Sequence, residues 1–586
     1  MEGLILVLVA IATVALVNTL APRLGVAAPL ALVVVGVGVS LIPAVPAVHL
    51  EPEWILSGVL PPLLYSASVA LPAMDFRRDL TAIGGLSVVL VVISTVVIGV
   101  LFTLLVPGVG LAVGFAIGAI VSPTDAVATN IVKRLGVSPR VVTMLQGESL
   151  LNDASALVLL RSAIAAMAVS VSIWGVAWDF ILAVGVAVVV GLVVGRLHLW
   201  VRQHVHDVAV GTAISFLVPF AAAFPAEALE ASGLVAAVTA GLVTGVGAPR
   251  YLSPRQRLAD EQNWRTIELL LEGAVFLLMG LQLDTLVEDV NDSHDVWTAV
   301  WLGVVVATAV LLIRAAYVAP LLRGLKRRRA RGLGMRDRLT EVTERLDAGE
   351  VPGRRPDAPP GKPSKPSRDQ EADARRAERR LGMIRTRVRR TLADIDYLAD
   401  APLGWREGTV LVWAGLRGAV TLAAAQTLPV DTPSRSLLVL VAFVVAFGSL
   451  LIQGGTMAWV VRRLGLAGAA VVEEANDDSP DERGRLLAEL AGAARSAVEA
   501  ARQPDGSRYD EQIVRRVTHE SLGPVNRDDV RAHVEQYRAL RLIAIRAMRE
   551  QLLRARGDGA YASSALESAL AVLDADELSM ELRGGE

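Results

Sequence analysis

The chain has 586 residues, 53% hydrophobic and 20% charged, with a mean hydropathy of +0.50, which is too apolar for a soluble enzyme of this size. Its net charge of -2 averages two unlike environments, because the charges gather in short loops, in a block near 324–405 and in the tail after about 472. The absence of cysteine excludes a disulfide framework and any thiolate metal site or nucleophile, and the 7 histidines form no spaced ligand pair in an apolar segment.

Met1-Glu2-Gly3 runs straight into an apolar stretch with no basic leader and no small-residue cleavage site. It reads as a retained first span rather than a signal peptide. A bilayer core of roughly 30 Å needs about 20 apolar helical residues. Thirteen segments qualify: 3–21, 25–43, 53–71, 83–106, 110–132, 141–168, 174–202, 207–223, 231–247, 266–284, 296–322, 407–427 and 436–463. The eighth, ninth and tenth are short or carry a charge.

The loops supply a separate check. With the N-terminus outside, the inner loops hold Arg23, then Arg77 and Arg78, then Lys133, Arg134 and Arg140, then Arg196 and Arg202, then Arg250, Arg255, Arg257 and Arg265. The outer loops hold only Arg435 as a base and carry Glu51, Glu53, Glu227, Glu230, Asp289, Asp292 and Asp295. That asymmetry follows the positive-inside rule, and a missing span would scramble it downstream. The fold class is therefore all-α and polytopic, with N outside and C inside.

Residues 1–323 hold spans one to eleven, and 406–465 hold the last two. Between them, 324–405 opens on Lys326-Arg327-Arg328-Arg329, passes through a Pro-rich 351–367 and ends in a charged helical stretch. This reads as a basic, partly disordered cytoplasmic insertion, either touching anionic headgroups or acting only as a stop-transfer cluster. Residues 472–586 carry charged amphipathic segments near 481–502 and 527–555, enough for a small cytoplasmic helical domain of regulatory character.

Ionisable side chains deep in a span are costly and mark function or pairing. Here they are Asp125, Glu148, Asp153, Arg161, Glu272, Arg314 and Arg417. Asp153 lies twelve residues into the sixth span, roughly 18 Å along the helix and so near the midplane. Ser149, four residues earlier, shares its face, and Asn152 is beside it. The fifth span contains Ser122-Pro123-Thr124-Asp125, where Pro123 removes a backbone donor and breaks the helix. Broken helices at membrane depth expose carbonyls and half-helix ends that bind ions. Asp125, Thr124, Ser149 and Asp153 together offer hard oxygen donors suited to sodium or lithium; the competing reading is a structural polar knot. Glu148 sits about 140° around the helix from Asp153, at a depth similar to Arg314, which predicts a structural ion pair. Arg417 lies between Gly415 and Gly418, where close packing or an unwound segment is expected. Arg161 is placed to snorkel outward. Glu272 is either polar glue or part of the cytoplasmic approach.

Gly147-Glu148-Ser149-Leu150-Leu151-Asn152-Asp153 resembles the signature of sodium/proton exchangers in the monovalent cation–proton antiporter family. Ser122-Pro123-Thr124-Asp125-Ala126-Val127-Ala128 and Gly415-Leu416-Arg417-Gly418-Ala419 resemble two more of its motifs. The resemblance covers the thirteen spans in order. It implies two inverted repeats, spans one to six and eight to thirteen, with the fifth and twelfth as crossed broken helices in a mobile core, and a homodimer moving like an elevator. An offset of seven spans gives opposite orientation, in agreement with inversion. It implies that Asp153 is the essential carboxylate for cation or proton, that Asp125, Thr124 and Ser149 complete a sodium site, that Asn152 holds the site without charge, and that Glu148 and Arg314 are the family's buried pair. No nucleophile–base or phosphate-binding constellation appears, so no enzymatic step is expected, and no cofactor beyond the transported ions.

Two departures stand out. Pro61-Pro62-Leu63-Leu64-Tyr65 is followed by Ser66 where many members have an acid, and Ala126 stands where many have proline. Competition of cation and proton for Asp153 is enough to couple their fluxes, and the neutral Asn152 points to one cation per proton. A potassium/proton exchanger of the same fold and an ion-responsive membrane sensor signalling through the tail remain the alternatives.

Overall fold

The computed structural model describes residues 2–24, 26–42, 52–168, 173–291, 296–347, 383–384, 387–388, 390–399, 401–468, 480–503, 506–519, 534–559 and 561–582. The Pro-rich stretch 351–367, the acids Glu51, Asp292 and Asp295, and tail residues 527–533 lie outside the described residues. The chain forms two compact units, one of Met1–Leu322 with Leu403–Ala470 and one of Arg323–Pro402 with Val471–Glu586.

The first unit is a helical membrane domain. Its helices are α1 (Glu2–Leu20), α2 (Ala28–Ser40), α3 (Leu60–Val69), α4 (Ala73–Gly84), α5 (Leu90–Leu105), α6 (Leu111–Ile120), α7 (Val127–Arg134), α8 (Pro139–Ala168), α9 (Ile173–Arg202), α10 (Val208–Ala228), α11 (Gly233–Tyr251), α12 (Pro254–Leu281), α13 (Leu283–Asn291), α14 (Val296–Asp347), α15 (Trp405–Trp413), α16 (Ala419–Gln426), α17 (Arg435–Ser449) and α18 (Gly455–Arg463). Among the described residues, nine helical segments are long and apolar enough to cross a membrane, and Ala28–Ser40, Trp54–Val69 and Leu111–Ile120 are shorter apolar helices. The broken pair α15 and α16 forms the twelfth and brings the count to thirteen, so each segment read from hydropathy has a helical counterpart.

Helix limits differ from hydropathy limits for local reasons. The tenth span starts at Pro254, twelve residues before its apolar run, because Ser253 and Gln256 form a capping box: Gln256 N donates to Ser253 Oγ at 3.3 Å and Ser253 N donates to Gln256 Oε1 at 3.1 Å. The eleventh apolar run ends near 322, yet α14 continues to Asp347, because Arg, Lys, Leu and Glu are good helix formers whether or not lipid surrounds them. The fourth span likewise begins at Ala73 and passes into α5 through one wide turn, Gly85–Val89.

Burial is reversed from that of a soluble protein. Leu16, Leu104, Trp174, Val193 and Leu312 are exposed, whereas Ser87, Glu148, Asn152, Arg202 and Arg314 are buried. An apolar exterior suits hydrocarbon, and polar groups are confined to helix–helix contacts. Those contacts are close. A Cβ on Gly118 would meet the Thr95 carbonyl of α5, and one on Gly280 would meet the backbone of α2. Both positions need glycine for approach rather than for unusual torsion angles.

The second unit comprises the end of α14, the helical residues 390–399, and α19 (Pro480–Ala500), α20 (Glu511–His519), α21 (Val534–Asp558) and α22 (Ser563–Leu582). Its apolar core includes Leu486, Leu490, Val498, Leu540, Met548, Leu566 and Leu573. Arg541 pairs with Asp576 at 2.6 Å and Arg549 with Asp574 at 3.0 Å, which joins α21 to α22. Arg390 Nε donates to Asp558 O at 3.2 Å, at the carbonyl end of α21.

Candidate functional site

The site grows from two helix breaks. The fifth span stops at Ile120 and resumes at Val127; the twelfth stops at Trp413 and resumes at Ala419. Hydrocarbon offers no water to the backbone groups freed by such breaks, so the protein must satisfy them itself. The two unwound stretches do so for each other. Asp125 N donates to Leu416 O at 2.9 Å. Arg417 reaches back across the crossing, its Nε to Val121 O at 2.8 Å, its Nη2 to Ser122 O at 3.2 Å and its Nη1 to Gly415 O. Its own backbone N–H donates to Ser449 Oγ at 2.8 Å. Asp125 Oδ1 accepts from Val127 N at 2.8 Å and so caps the restarted helix α7. Gly418 packs on the Asp125 carboxylate and Gly415 on the Arg314 side chain, each where a Cβ would collide. Pro123 is buried inside the first break.

α8 lies against this crossing and carries Glu148, Ser149, Asn152 and Asp153, all buried. Glu148 and Arg314 form a two-pronged ion pair, Nη1 to Oε1 and Nη2 to Oε2 at 2.7 Å. Arg314 Nε also donates to Leu411 O at 2.8 Å, the carbonyl of a residue in the last turn of α15. The pair therefore ties α8, α14 and the broken twelfth span together. Thr124 Oγ1 donates to Glu148 Oε1 at 3.3 Å, and Asn152 Nδ2 donates to Thr124 Oγ1 at 2.6 Å. Asp153, only 6% exposed, lies within electrostatic reach of Asp125. Among the described residues no hydrogen bond or ion pair engages the Asp153 carboxylate. Asp125, Thr124, Glu148, Asn152, Asp153, Arg314 and Arg417 thus converge at one place; Ser149 is buried on α8 four residues before Asp153, whereas Arg161 is exposed on that helix.

Further buried polar contacts have no counterpart in the sequence pattern. Glu268 accepts a hydrogen bond from Ser66, and Glu272 lies within electrostatic reach of Asp125, Glu268 and Arg134. The i, i+4 spacing of Glu268 and Glu272 puts them on one helix face, but Glu268 stands near the start of the apolar run, where a charge is not conspicuous. Arg140 and Asp79, two prongs at 2.8 Å each, form another buried pair, and Arg202 pairs with Asp260 at 3.0 Å. The place of Arg140 and Arg202 in basic loops marks topology but carries no sign of these partners. Arg435, at the start of α17, donates to Gln426 O and Leu428 O at 2.8 Å, at the carbonyl end of α16. Groups of three or more His, Asp or Glu able to hold a metal ion do not occur among the described residues.

Crossed, interrupted helices with oxygen donors and paired charges at the crossing define a secondary transporter of the antiporter fold. The structure of the sodium proton antiporter MjNhaP1 from Methanocaldococcus jannaschii shares this fold, with a TM-score of 0.53 at 15% identity over 79% of this chain and 99% of that one. A family model, the transmembrane sodium/hydrogen exchanger, matches residues 8–352 and 385–463, and the chain belongs to that family. The Na(+)/H(+) antiporter ApNhaP of Aphanothece halophytica is 27% identical over 444 residues, 75% of this chain and 70% of that protein. The uncharacterized Na(+)/H(+) exchanger YjcE of Escherichia coli is 34% identical over 308 residues, 50% of this chain and 56% of that protein. This chain is a membrane antiporter that exchanges a monovalent cation for a proton.

The buried pair yields a stability prediction. Replacing Glu148 alone by Leu leaves the Arg314 charge uncompensated and is expected to cost about 3–5 kcal/mol. The double variant Glu148→Leu/Arg314→Met is expected to recover part of that loss. Thermal unfolding of detergent-purified protein measures both; a double variant worse than the single one contradicts the pairing.

Proposed function

We propose that Asp153 is the carboxylate for which cation and proton compete, with Asp125, Thr124, Ser149 and Asn152 completing a sodium site. The observation that carries this is the contrast among the site's acids. Glu148 is held by Arg314, and Asp125 caps α7, but Asp153 has no hydrogen-bond or ion-pair partner among the described residues. A buried carboxylate without a partner is costly, and a bound proton or cation removes that cost. Coupling follows, because the two ligands cannot both occupy it well. The neutral amide of Asn152, where a second acid would allow a second proton, supports one-for-one electroneutral exchange.

Alternating access would expose the crossing to either side in turn, within a homodimer in the plasma membrane, N-terminus outside and C-terminus cytoplasmic. The basic asymmetry of the loops supports that orientation. Residues 472–586 form a regulatory helical domain in this reading. Sodium is the favoured cation and lithium is compatible. A relative in Bacillus subtilis, 29% identical over 300 residues covering 49% of this chain and 45% of that protein, is a sodium, potassium, lithium and rubidium/H(+) antiporter, so potassium belongs in the test.

Dequenching of a pH dye in everted vesicles, run with sodium, lithium and potassium, provides that test. Asp153→Asn is expected to abolish exchange with each ion, and persistent exchange refutes the mechanism. In proteoliposomes the wild-type rate is expected to be insensitive to an imposed membrane potential; a potential-dependent rate contradicts one-for-one coupling. Removing residues 472–586 is expected to leave exchange in place with an altered dependence on pH, whereas complete loss would favour a sensor that works through its tail.

A further inference from the structure

Just past the apolar run of the eleventh span, α14 carries a run of bases without an acid. Arg323, Lys326, Arg327, Arg328, Arg329 and Arg331 follow Leu322, and the first acid on the helix is Asp337. All but Arg329 are exposed. At about 100° per residue, the five exposed bases fall within an arc of roughly 200°, in the order Lys326, Arg323, Arg327, Arg331 and Arg328. Arg329 lies outside that arc.

The remaining face of the helix is occupied by protein. Arg329 Nη2 donates to Ala399 O at 2.9 Å, and Arg336 Nε pairs with Asp396 at 2.9 Å. Between them, a Cβ on Gly332 would lie 3.3 Å from Ile395. The helical residues 390–399 therefore cover one side of α14 and leave the arc open. Among the described residues no ion pair engages any of the five bases, and their hydrogen bond in this region, Arg331 Nε to Arg327 O at 3.4 Å, stays within the helix. A cluster that only stops translocation needs charge near the span, but it needs neither a common face nor freedom from the carboxylates close by.

We propose that Arg323, Lys326, Arg327, Arg328 and Arg331 form a docking surface for the anionic phospholipid headgroups of the cytoplasmic leaflet. The choice of leaflet rests on the orientation proposed above. Charge and position both fit. A helix rising 1.5 Å per residue carries these bases roughly 2–14 Å beyond the end of the apolar run. That range covers the headgroup layer and about one screening length of the aqueous phase at physiological salt. Guanidinium groups suit phosphate diesters, because their fork of N–H donors matches two phosphate oxygens. Juxtamembrane basic clusters of this size are attracted by the negative surface of that leaflet. α14 also carries Arg314, nine residues before Arg323, so headgroups that hold the arc hold the helix that supplies the partner of Glu148.

The test reads lipid binding as the rise in unfolding temperature of detergent-purified full-length protein. Dioleoyl phosphatidylglycerol is the probe, dioleoyl phosphatidylcholine the neutral lipid and inorganic phosphate the free ion. A rise with phosphatidylglycerol is expected that exceeds that with phosphatidylcholine, is absent with phosphate and shrinks with added salt. In Arg323→Gln/Lys326→Gln/Arg327→Gln/Arg328→Gln/Arg331→Gln the half-maximal phosphatidylglycerol concentration is expected to rise on the order of tenfold or more. Should that variant not fold, Arg327→Gln/Arg331→Gln decides, with an expected rise of about threefold or more. Arg495→Gln/Arg502→Gln/Arg508→Gln, which removes exposed bases of the tail, is expected to respond as wild type. The proposal is overturned if the two lipids act alike, if phosphate reproduces the effect, if the arc variants respond as wild type, or if the tail variant loses as much as they do. Micelles expose both faces of the protein, so these outcomes do not depend on orientation. The leaflet is read separately: the chain has no cysteine, and Arg328→Cys in intact cells is expected to resist a membrane-impermeant maleimide. Labelling from outside overturns the orientation, and with it the choice of leaflet.

Discussion

Everything at this site depends on satisfying backbone groups that two broken helices release inside a membrane. Neither break stands alone. The Asp125 N–H finds the Leu416 carbonyl, and the Arg417 guanidinium collects carbonyls of Val121, Ser122 and Gly415 from both stretches. In hydrocarbon each such group would otherwise carry a penalty of several kcal/mol. The crossing is therefore a matched pair: remove Arg417 and carbonyls of both stretches lose their donors. Site oxygens are aimed by this scaffold, not by regular helix geometry.

Charge is divided with equal economy. Glu148 and Asp153 stand five residues apart on α8, yet Arg314 holds one and no described residue pairs with the other. The spent carboxylate fixes helices and orients Thr124. In the proposed function, the unspent one takes the cation or the proton. Asp125 serves both purposes, with one oxygen capping α7 and its charge close to Asp153. A transport site needs this inequality, because a carboxylate locked in a strong buried pair would exchange neither ligand readily.

Around the crossing, small residues let helices approach closely, and apolar side chains turn outward to lipid. Gly418 illustrates the link from packing to function. It admits the Asp125 carboxylate against the twelfth span, so a larger residue there would displace a site oxygen and the crossing together.

Sequence alone determined the thirteen crossings, because lipid imposes length and hydropathy on each segment and the basic loops fix the count. It also determined which acids were candidates: a charge in an apolar run is conspicuous, and Asp153, Asp125 and Glu148 were conspicuous for that reason. Helix limits were less legible. Capping at Ser253 and helix-forming charged residues beyond 322 extend α12 and α14 past their apolar runs. Only the tertiary structure decided who partners whom. The contact of Arg417 with residues nearly three hundred positions earlier, the Ser66–Glu268 hydrogen bond and the pairing of Arg140 with Asp79 bring together segments remote in sequence. Side-chain hydrogen bonds of that range leave no periodic mark in a sequence, and so the chain from Asn152 through Thr124 and Glu148 to Arg314 became visible only once α8, α14 and the two broken spans were packed together.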